Sequence, residues 1–288
     1  MTTYIDGKKT ARRIEDEVAA GVASLARRTG RVPALATVLV GGDPAGAVYV
    51  AHKRRAVRRA GMRDVHRSLP AHAGHDDIAA VLDALAADPE VSGILLQLPL
   101  PEGLDPRPLI DRIPGAKDVD GLTTHSVGLL AGRAAEGLRP CTPRGVIELL
   151  DSEGVVLRGA HAVVVGASGL VGRPLAQLLL QRDATVTVAH RHTAGLAAVT
   201  RVADVLVVAA GVPGLIGPEH VKPGATVVDV GITRTVAGIT SDVRTAELDG
   251  IAARVTPVPG GVGPMTIAML LANTLEAARQ QGHRQMSH

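Results

Sequence analysis

Residues 161–180 read HAVVVGASGLVGRPLAQLLL, and this stretch decides the fold class. Its β-branched run predicts a buried strand, and the apolar residues after the glycines predict a helix. Between them Gly166, Gly169 and Gly172 recur at intervals of three, which gives GxxGxxG in place of the commoner GxGxxG. Small residues let the backbone approach a ligand, and free N–H groups at a helix start attract negative charge. The turn therefore predicts a pyrophosphate site, with a plain tight turn as the alternative.

Strands and helices alternate along most of the chain. In the first half, a buried strand is predicted at 34–41, a weaker strand at 63–69 and a strand running into prolines at 93–101, with helices at 44–60 and 76–88. In the second half, further buried strands are predicted at 185–190, 203–211 and 226–231. Such alternation is typical of parallel sheets with crossover helices. We therefore expect two α/β domains flanking a cleft, the second a Rossmann-like dinucleotide-binding domain with a parallel sheet.

The composition is that of a folded, soluble chain. Hydrophobic residues make up 46% of the 288 and charged residues 20%, which is typical of a globular protein with a core of useful size. The basic run RRAVRR lacks interleaved aromatic residues, so nucleic acid is not an expected partner. No secretory signal and no membrane span is visible, which predicts a cytoplasmic protein without a membrane partner. A single Cys141 excludes an intrachain disulfide, and the histidines form no metal-binding pattern.

Tyr49 and Lys53 are an unusual pair for this chain. The sequence has no Phe or Trp, only two Tyr, and five Lys against 26 Arg. Residues four apart share one face of a helix, and the segment around YVAHK is predicted to be helical. A partly buried Lys can lose its proton, whereas Arg effectively cannot. The pair therefore indicates an amine that titrates, with a surface Lys beside a half-buried Tyr as the alternative.

The end of the strand at 185–190 bears on cofactor choice. NAD sites place an Asp or Glu at this position to accept a hydrogen bond from the ribose 2′-hydroxyl. This chain instead has His190, Arg191 and His192, with no acid. Cationic donors suit a 2′-phosphate, so the sequence favours NADP. The alternative is an exposed strand end with solvated charges.

A family resemblance appears at the C-terminal end, where residues 255–277 read VTPVPGGVGPMTIAMLLANTLEA. This stretch resembles the signature of the bifunctional methylenetetrahydrofolate dehydrogenase/methenyltetrahydrofolate cyclohydrolase family. Further segments match the same family in order: VGGDPAGAVYVAHK, GILLQLPLP, PGAKDVDG, RPCTP, VVGASGLVGRP and VKPGATVVDVGI. The resemblance spans residues 38–277, and seven ordered motifs make it specific.

The resemblance implies roles for individual residues. Lys53 would be the catalytic amine of the hydrolysis, Tyr49 would lie against the folate rings, and Gln97 would hydrogen-bond Lys53. Asp120 would accept hydrogen bonds from the amino edge of the pterin. Together with these four, the folate would contact Leu98, Pro99, Gly260, Gly261, Pro264 and Thr266. The cofactor would contact Gly166, Ala167, Ser168, Gly169, Val171, Gly172, His190, Arg191, Ala210, Gly211, Gly231, Ile232 and Thr233.

The implied activity is oxidation of 5,10-methylenetetrahydrofolate to the 5,10-methenyl form with NADP, followed by hydrolysis to 10-formyltetrahydrofolate. The implied domains are a folate-binding catalytic domain, 1–138 plus 265–288, with the C-terminal helix packing back, and an NADP-binding domain, 139–264. The partners would be tetrahydrofolate one-carbon derivatives and a second copy of the chain in a homodimer. The chain departs from the family pattern at Gly46, Gly169, Thr233 and Arg244, and the last two bear on cofactor affinity.

Three other functions are compatible with parts of the sequence. Short-chain dehydrogenases also use YxxxK, but there the glycine motif precedes the pair, and here the order is reversed. A monofunctional dehydrogenase would not need Lys53. A non-catalytic nucleotide-binding module would need neither a titratable amine beside Tyr49 nor the PVPGGVGP loop.

Overall fold

The computed structural model of this protein describes residues 1–41, 44–231, 233–235 and 238–286. The chain divides into two units. The three-stranded unit comprises Arg13–Cys141 and Ile267–His288, and the six-stranded unit comprises Met1–Arg12 and Thr142–Thr266. Each unit holds a parallel sheet with crossover helices, which confirms the predicted α/β class. Within the described residues, no helix combines the length and the apolar character needed to cross a membrane.

The structure contains the following helices and strands, with short 3-10 turns between some of them. They are β1 (Thr3–Tyr4), α1 (Gly7–Thr29), β2 (Ala34–Val40), α2 (Pro44–Arg59), β3 (Arg63–Leu69), α3 (His75–Ala87), β4 (Gly93–Leu96), α4 (Pro106–Ile110), α5 (Thr124–Ala131), α6 (Cys141–Ser152), β5 (His161–Val165), α7 (Gly172–Gln181), β6 (Thr185–Ala189), α8 (Leu196–Thr200), β7 (Val205–Val208), β8 (Thr226–Asp229), β9 (Thr233–Thr235), β10 (Gly238–Thr240), β11 (Arg254–Val255) and α9 (Val262–Met286).

The sheet of the three-stranded unit has the order β3-β2-β4, and both pairings are parallel. β2 is central and almost wholly buried, as expected of a strand with neighbours on both sides. Ile78 and Leu82 of α3 pack against Ile94 of β4, and all three are fully buried. Gln97 follows directly after the carboxyl end of β4.

The sheet of the six-stranded unit has the order β1-β11-β8-β7-β5-β6, with every pairing parallel. The chain runs from β5 to β6 on one side and then returns to β7 on the other side. This reversal of strand order is the topological switch point at which open α/β sheets bind ligands. The glycine turn predicted to hold a pyrophosphate follows β5 at this point.

Residues 1–12, which the expected boundaries place in the folate-binding domain, group with the six-stranded unit in the structure. Thr3 pairs with Arg254 and Tyr4 with Val255, so β1 is an edge strand of the six-stranded sheet. Thr2 anchors the chain there, because its hydroxyl donates to Ala252 O at 2.7 Å and accepts from Gly250 N at 2.9 Å. A two-residue strand has no periodic pattern, so the sequence carried no signal for it. The units otherwise change at 141/142 and 266/267, close to the predicted positions.

Helix α1 was not predicted, although its sequence carries a helical pattern. Its buried residues recur at intervals of three and four: Ala11, Ile14, Val18, Val22 and Leu25. Helix α9 begins at Val262, inside the stretch 255–277 that carries the C-terminal resemblance, and continues to Met286. Both helices pass from one unit into the other along the chain.

Candidate functional site

Lys53 and Tyr49 share one face of α2. The Lys53 Nζ lies 4.6 Å from the centroid of the Tyr49 ring, within range of a cation–π contact. Only 6% of Lys53 is exposed to solvent. The alternative of a surface lysine is therefore wrong, and the amine is buried within the three-stranded unit.

Gln97 follows β4 and meets Lys53 from the sheet side. Its Oε1 accepts a hydrogen bond from Lys53 Nζ at 3.0 Å, and its Nε2 donates to Leu98 O at 2.6 Å. The backbone N–H of Gln97 donates to Val38 O at 2.9 Å, which extends the sheet by one residue. These bonds fix which side of the amide faces the amine, because only the oxygen can accept from Lys53. The family resemblance implied the contact between Gln97 and Lys53, and the structure shows it.

Burial favours the neutral forms of Lys53 and Asp120. Burial lowers the pKa of Lys53, and the nearby Asp120 carboxyl and Cys141 oppose that shift in part. Burial also raises the pKa of Asp120, with Asp118 adding to the effect and Lys53 opposing it. Removing a charged group from water disfavours its ionised form. Lys53 can therefore give up its proton at a lower pH than an exposed lysine, as a proton-transferring group must.

The loop that carries Asp120 is held by Asp118. The fully buried Asp118 carboxylate accepts from Leu122 N at 3.2 Å and from Thr123 N at 2.9 Å. Helix α5 begins directly afterwards, capped by the Thr123 side chain. Of the two acids in KDVDG, the first is thus structural, and the second is left facing Lys53.

Cys141 and Asn273 support the same loop, and the sequence analysis missed both. The buried Cys141 thiol donates to Val119 O at 3.2 Å, and it also moderates the rise in the pKa of the Asp120 carboxyl. The Asn273 amide donates to Val119 O and to Arg139 O, each at 2.8 Å. A lone amide within the apolar stripe of α9 was the signal that could have indicated Asn273.

Lys117 caps a helix and is not a surface charge. Its Nζ donates to three carbonyl oxygens at the end of α3: Ala86 O at 2.8 Å, Asp88 O at 2.7 Å and Leu85 O at 3.3 Å. Cations at a helix C-terminus satisfy carbonyls that lack intrahelical partners. Lys117 therefore holds the end of α3.

A cavity of about 700 Å³ lies at the carboxyl ends of β5, β6 and β7. Many residues predicted to contact the cofactor line it: Gly166, Ala167, Ser168, His190, Arg191 and Ala210. The predicted residues Gly169, Val171, Gly172, Gly211 and Gly231 are not part of that lining. Ile232 lies outside the described residues, as does the side chain of Thr233.

The glycine turn leaves no room for side chains at two positions. A Cβ on Gly166 would lie 2.2 Å from Ala209 O, and Gly166 also has φ +117°. A Cβ on Gly172 would lie 1.9 Å from Gly166 O. The Ser168 hydroxyl accepts from Val171 N at 3.2 Å, which closes the turn before α7. Strand, turn and helix therefore approach closely enough to cradle a phosphate against the start of α7.

The other end of the cavity is cationic. His190, Arg191 and His192 are exposed after β6, and Arg191 Nε donates to His192 Nε2 at 3.1 Å. The rings of His190 and His192 lie 6.0 Å apart between centroids. Donors without an acid at this strand end fit a 2′-phosphate. The cavity therefore fits a phosphorylated dinucleotide at both its glycine turn and its cationic end.

The predicted folate residues are divided between the two units. Leu98 and Pro99 follow Gln97 in the three-stranded unit, whereas Gly260, Gly261, Pro264 and Thr266 belong to the six-stranded unit. Gly260 has φ +114°. A Cβ on Gly7 would lie 1.9 Å from Gly261 O, so the start of α1 packs directly on this loop. Thr266 Oγ1 lies 2.9 Å from Thr142 Oγ1.

Arg244, one of the departures from the family pattern, has a local structural role. Its guanidinium pairs with Glu219 at 2.6 Å and with Glu247 at 3.3 Å. The side chain packs over Gly217, where a Cβ would lie 1.7 Å from Arg244 Nη2. Among the described residues, no group of three or more His, Cys, Asp or Glu side chains could hold a metal ion.

Comparisons with known proteins cover nearly the whole chain. Residues 5–120 match the family model described as tetrahydrofolate dehydrogenase/cyclohydrolase, catalytic domain. Residues 140–282 match the companion model, described as the NAD(P)-binding domain. The chain is 64% identical over 275 residues to the bifunctional protein FolD 2 of Frankia alni, covering 96% of this chain and 95% of that protein.

Solved structures of the same family resemble this chain over nearly its whole length. The bifunctional FolD methylenetetrahydrofolate dehydrogenase/cyclohydrolase of Campylobacter jejuni is 41% identical with a TM-score of 0.95, covering 97% of this chain and 99% of that one. The methylenetetrahydrofolate dehydrogenase-cyclohydrolase of Trypanosoma brucei, solved with NADP and an inhibitor, is 38% identical with a TM-score of 0.93, covering 97% and 98%.

Proposed function

Because the chain belongs to the tetrahydrofolate dehydrogenase/cyclohydrolase family, we propose that it oxidises 5,10-methylenetetrahydrofolate with NADP and hydrolyses the methenyl product to 10-formyltetrahydrofolate. The observation that carries the proposal is the buried Lys53, which lies between the Tyr49 ring and the Gln97 amide. A dehydrogenase without hydrolysis would not need an amine with a lowered pKa at this position.

In the hydrolysis, water adds to the methenyl carbon and the bond from that carbon to N5 breaks. The neutral Lys53 amine takes a proton from the attacking water, and its ammonium form can return a proton to N5 as N5 leaves. The net reaction consumes one water and releases one proton. Gln97 is a positioning residue here, because its oxygen holds Lys53 Nζ at 3.0 Å.

The oxidation step requires no proton-transferring side chain. The bridging carbon lies between two nitrogens, which delocalise the cation left by hydride loss, so no strong base is needed. NADP, when bound, supplies the acceptor for that hydride. The protein's contribution is alignment. The Tyr49 ring offers a flat surface to the folate rings, and the Asp120 carboxyl is a suitable acceptor for the amino edge of the pterin.

The preference for NADP over NAD is supported by the cationic strand end. Arg191 and the two flanking histidines line the cavity, where an NAD site would place an acid. The relative from Trypanosoma brucei was solved with NADP, which agrees with this preference. The glycine turn would hold the pyrophosphate against the N-terminus of α7.

One absorbance assay tests both activities. The purified protein is mixed with 5,10-methylenetetrahydrofolate and either NADP or NAD, and reduced cofactor and methenyl species are followed together. We expect reduced NADP to accumulate without a matching accumulation of the methenyl species, because hydrolysis removes it. Accumulation of both would indicate a monofunctional dehydrogenase. Binding of NADP without turnover would indicate a non-catalytic nucleotide-binding module.

The oligomeric state rests on the family resemblance alone. We infer a cytoplasmic homodimer that acts on tetrahydrofolate one-carbon derivatives, with neither nucleic acid nor a membrane as partner. Light scattering after size exclusion tests whether the protein is a dimer, since a dimer has about twice the chain mass of 29.6 kDa.

A further inference from the structure

A short segment, Ser241–Asp242–Val243, ties together the loops that follow β7 and β8. Ser241 O accepts from Gly214 N at 2.9 Å, and Asp242 O accepts from Ile216 N at 3.0 Å. Asp229 at the end of β8 accepts from Val243 N at 3.0 Å and from the Ser241 hydroxyl. We call this segment the bracket.

The Asp242 side chain points from the bracket to the loop after β7. Its Oδ2 accepts from Ala210 N at 2.8 Å and from Gly211 N at 2.7 Å, and the residue is fully buried. Bonds from two N–H groups to one carboxylate oxygen are of the strong, charge-assisted kind. Its Oδ1 has no hydrogen-bond partner among the described residues.

The same carboxylate also determines the loop after β8. A Cβ on Gly231 would lie 2.1 Å from Asp242 Cγ, so Gly231 Cα rests directly on the carboxylate. Gly231 N donates to Asp229 Oδ1 at 2.8 Å. The two acids therefore hold two neighbouring loops, and Asp242 contacts both.

The sheet order shows which half of a dinucleotide these loops would meet. The cationic end follows β6, the glycine turn follows β5, and the two loops held by Asp242 follow β7 and β8. A dinucleotide with its 2′-phosphate after β6 and its pyrophosphate after β5 extends its other half over β7 and β8. That half is the nicotinamide.

We propose that Asp242 is a positioning residue for the nicotinamide half of the cofactor. It accepts hydrogen bonds from Ala210 N and Gly211 N, so it fixes the backbone of the loop after β7, and Ala210 of that loop lines the cavity. It also excludes any side chain at 231. The inference rests on the proposed NADP site and concerns only one half of it.

The test compares two ligands on three proteins. Binding of NADP and of 2′,5′-ADP, which lacks the nicotinamide half, is measured by calorimetry on the unmodified protein, Asp242→Ala and Asp242→Asn. For Asp242→Ala we expect the NADP Kd to rise at least about tenfold, because two hydrogen bonds to a charged acceptor are lost. The Kd of 2′,5′-ADP should stay within about threefold. Asp242→Asn can keep its oxygen at the Oδ2 position, so it should restore NADP binding to within about threefold.

Amide hydrogen exchange supplies a readout independent of ligands. In Asp242→Ala, the segment with Ala210 and Gly211 should exchange faster, while β5 should not change. If Asp242→Ala does not fold, Gly231→Ala replaces it, because its Cβ would displace the Asp242 carboxylate. Equal weakening of both ligands, or no weakening of NADP, would overturn the inference. Failure of the unmodified protein to bind either ligand would instead overturn the cofactor assignment on which it rests.

Discussion

Lys53 Nζ donates a hydrogen bond to Gln97 Oε1 across 3.0 Å, from helix α2 to the end of strand β4. The amide cannot rotate freely, because its Nε2 is bonded to Leu98 O. The amine is thus held by an acceptor that carries no charge. A carboxylate in the same place would stabilise the ammonium form and raise the pKa of Lys53, whereas the amide leaves burial to lower it.

Lys53→Met should separate the two activities. Methionine keeps the length and apolar stem of the side chain but cannot transfer a proton, so we expect hydrolysis of the methenyl form to fall by a factor on the order of 10² to 10⁴. Hydride transfer should remain within about tenfold, since it needs alignment and no base. The absorbance assay measures both rates. Lys222→Met is the control, since Lys222 is exposed and pairs with Asp204 at the surface. Equal loss of both activities would contradict the proposed roles.

The pH dependence of hydrolysis should report the amine. If neutral Lys53 is the active form, the rate rises with pH and levels off above the pKa of Lys53, which burial places below the ordinary lysine value. Asp120 raises the pKa of Lys53, so Asp120→Asn should move the rising limb to lower pH. The measurement is kcat against pH at saturating methenyl substrate, since weaker folate binding would alter KM. A limb that moves to higher pH in the variant would contradict this account.

Arg191→Asp should change cofactor preference. Loss of a charge-assisted contact to the 2′-phosphate, together with repulsion from the new acid, should raise the Kd of NADP at least about tenfold. The Kd of NAD should change by no more than about threefold, because NAD has no phosphate there. Titration calorimetry with both dinucleotides measures the ratio. Arg201→Asp introduces the same charge change at another exposed position and should leave the ratio unchanged. A protein that already prefers NAD would refute the cofactor argument.

Asp229 should make stability depend on pH. Burial raises the pKa of this carboxyl to about 6, partly opposed by hydrogen bonds from Ser241, Gly231 and Val243. The pKa of Asp229 is higher in the folded state than in the unfolded state. Between pH 3.8 and about 6, the folded state therefore binds more protons than the unfolded state. The stabilisation is therefore complete below pH 3.8 and is lost as the pH rises through about 6. The shift corresponds to about 3 kcal/mol of unfolding free energy.

Urea titrations at several pH values measure this contribution. In Asp229→Asn, the decline of unfolding free energy between pH 4 and about 7 should be smaller than in the unmodified protein. Asp204 is a useful comparison, because hydrogen bonds from Lys222 and His161 lower its pKa and give the opposite slope. An unchanged decline in Asp229→Asn would show that other groups cause it.

The sequence predicted best the parts of the fold whose pattern is local. β3 has the predicted bounds, and the valine-rich strands β5 and β7 read as continuous apolar runs, as buried parallel strands do. Tyr49 and Lys53 could be paired because one helix carries both. By contrast, the contacts of Asn273 with Arg139 O and of Asp242 with Ala210 N join distant positions. Nothing in the local pattern indicates such contacts. The family resemblance drew attention to Arg244, two residues after Asp242, as a departure, and gave no role to Asp242 itself.

The pairing of β1 with β11 has a consequence for protein engineering. A chimaera that exchanges residues 142–266 between relatives would keep an N-terminal segment that evolved beside a different sheet. Thr2 and its hydroxyl contacts with Ala252 and Gly250 would then be mismatched. A piece expressed alone from residue 142 would leave β11 as an uncovered edge, which invites association between copies. Grafts of this half should therefore carry the first dozen residues with them, as a second, non-contiguous insert.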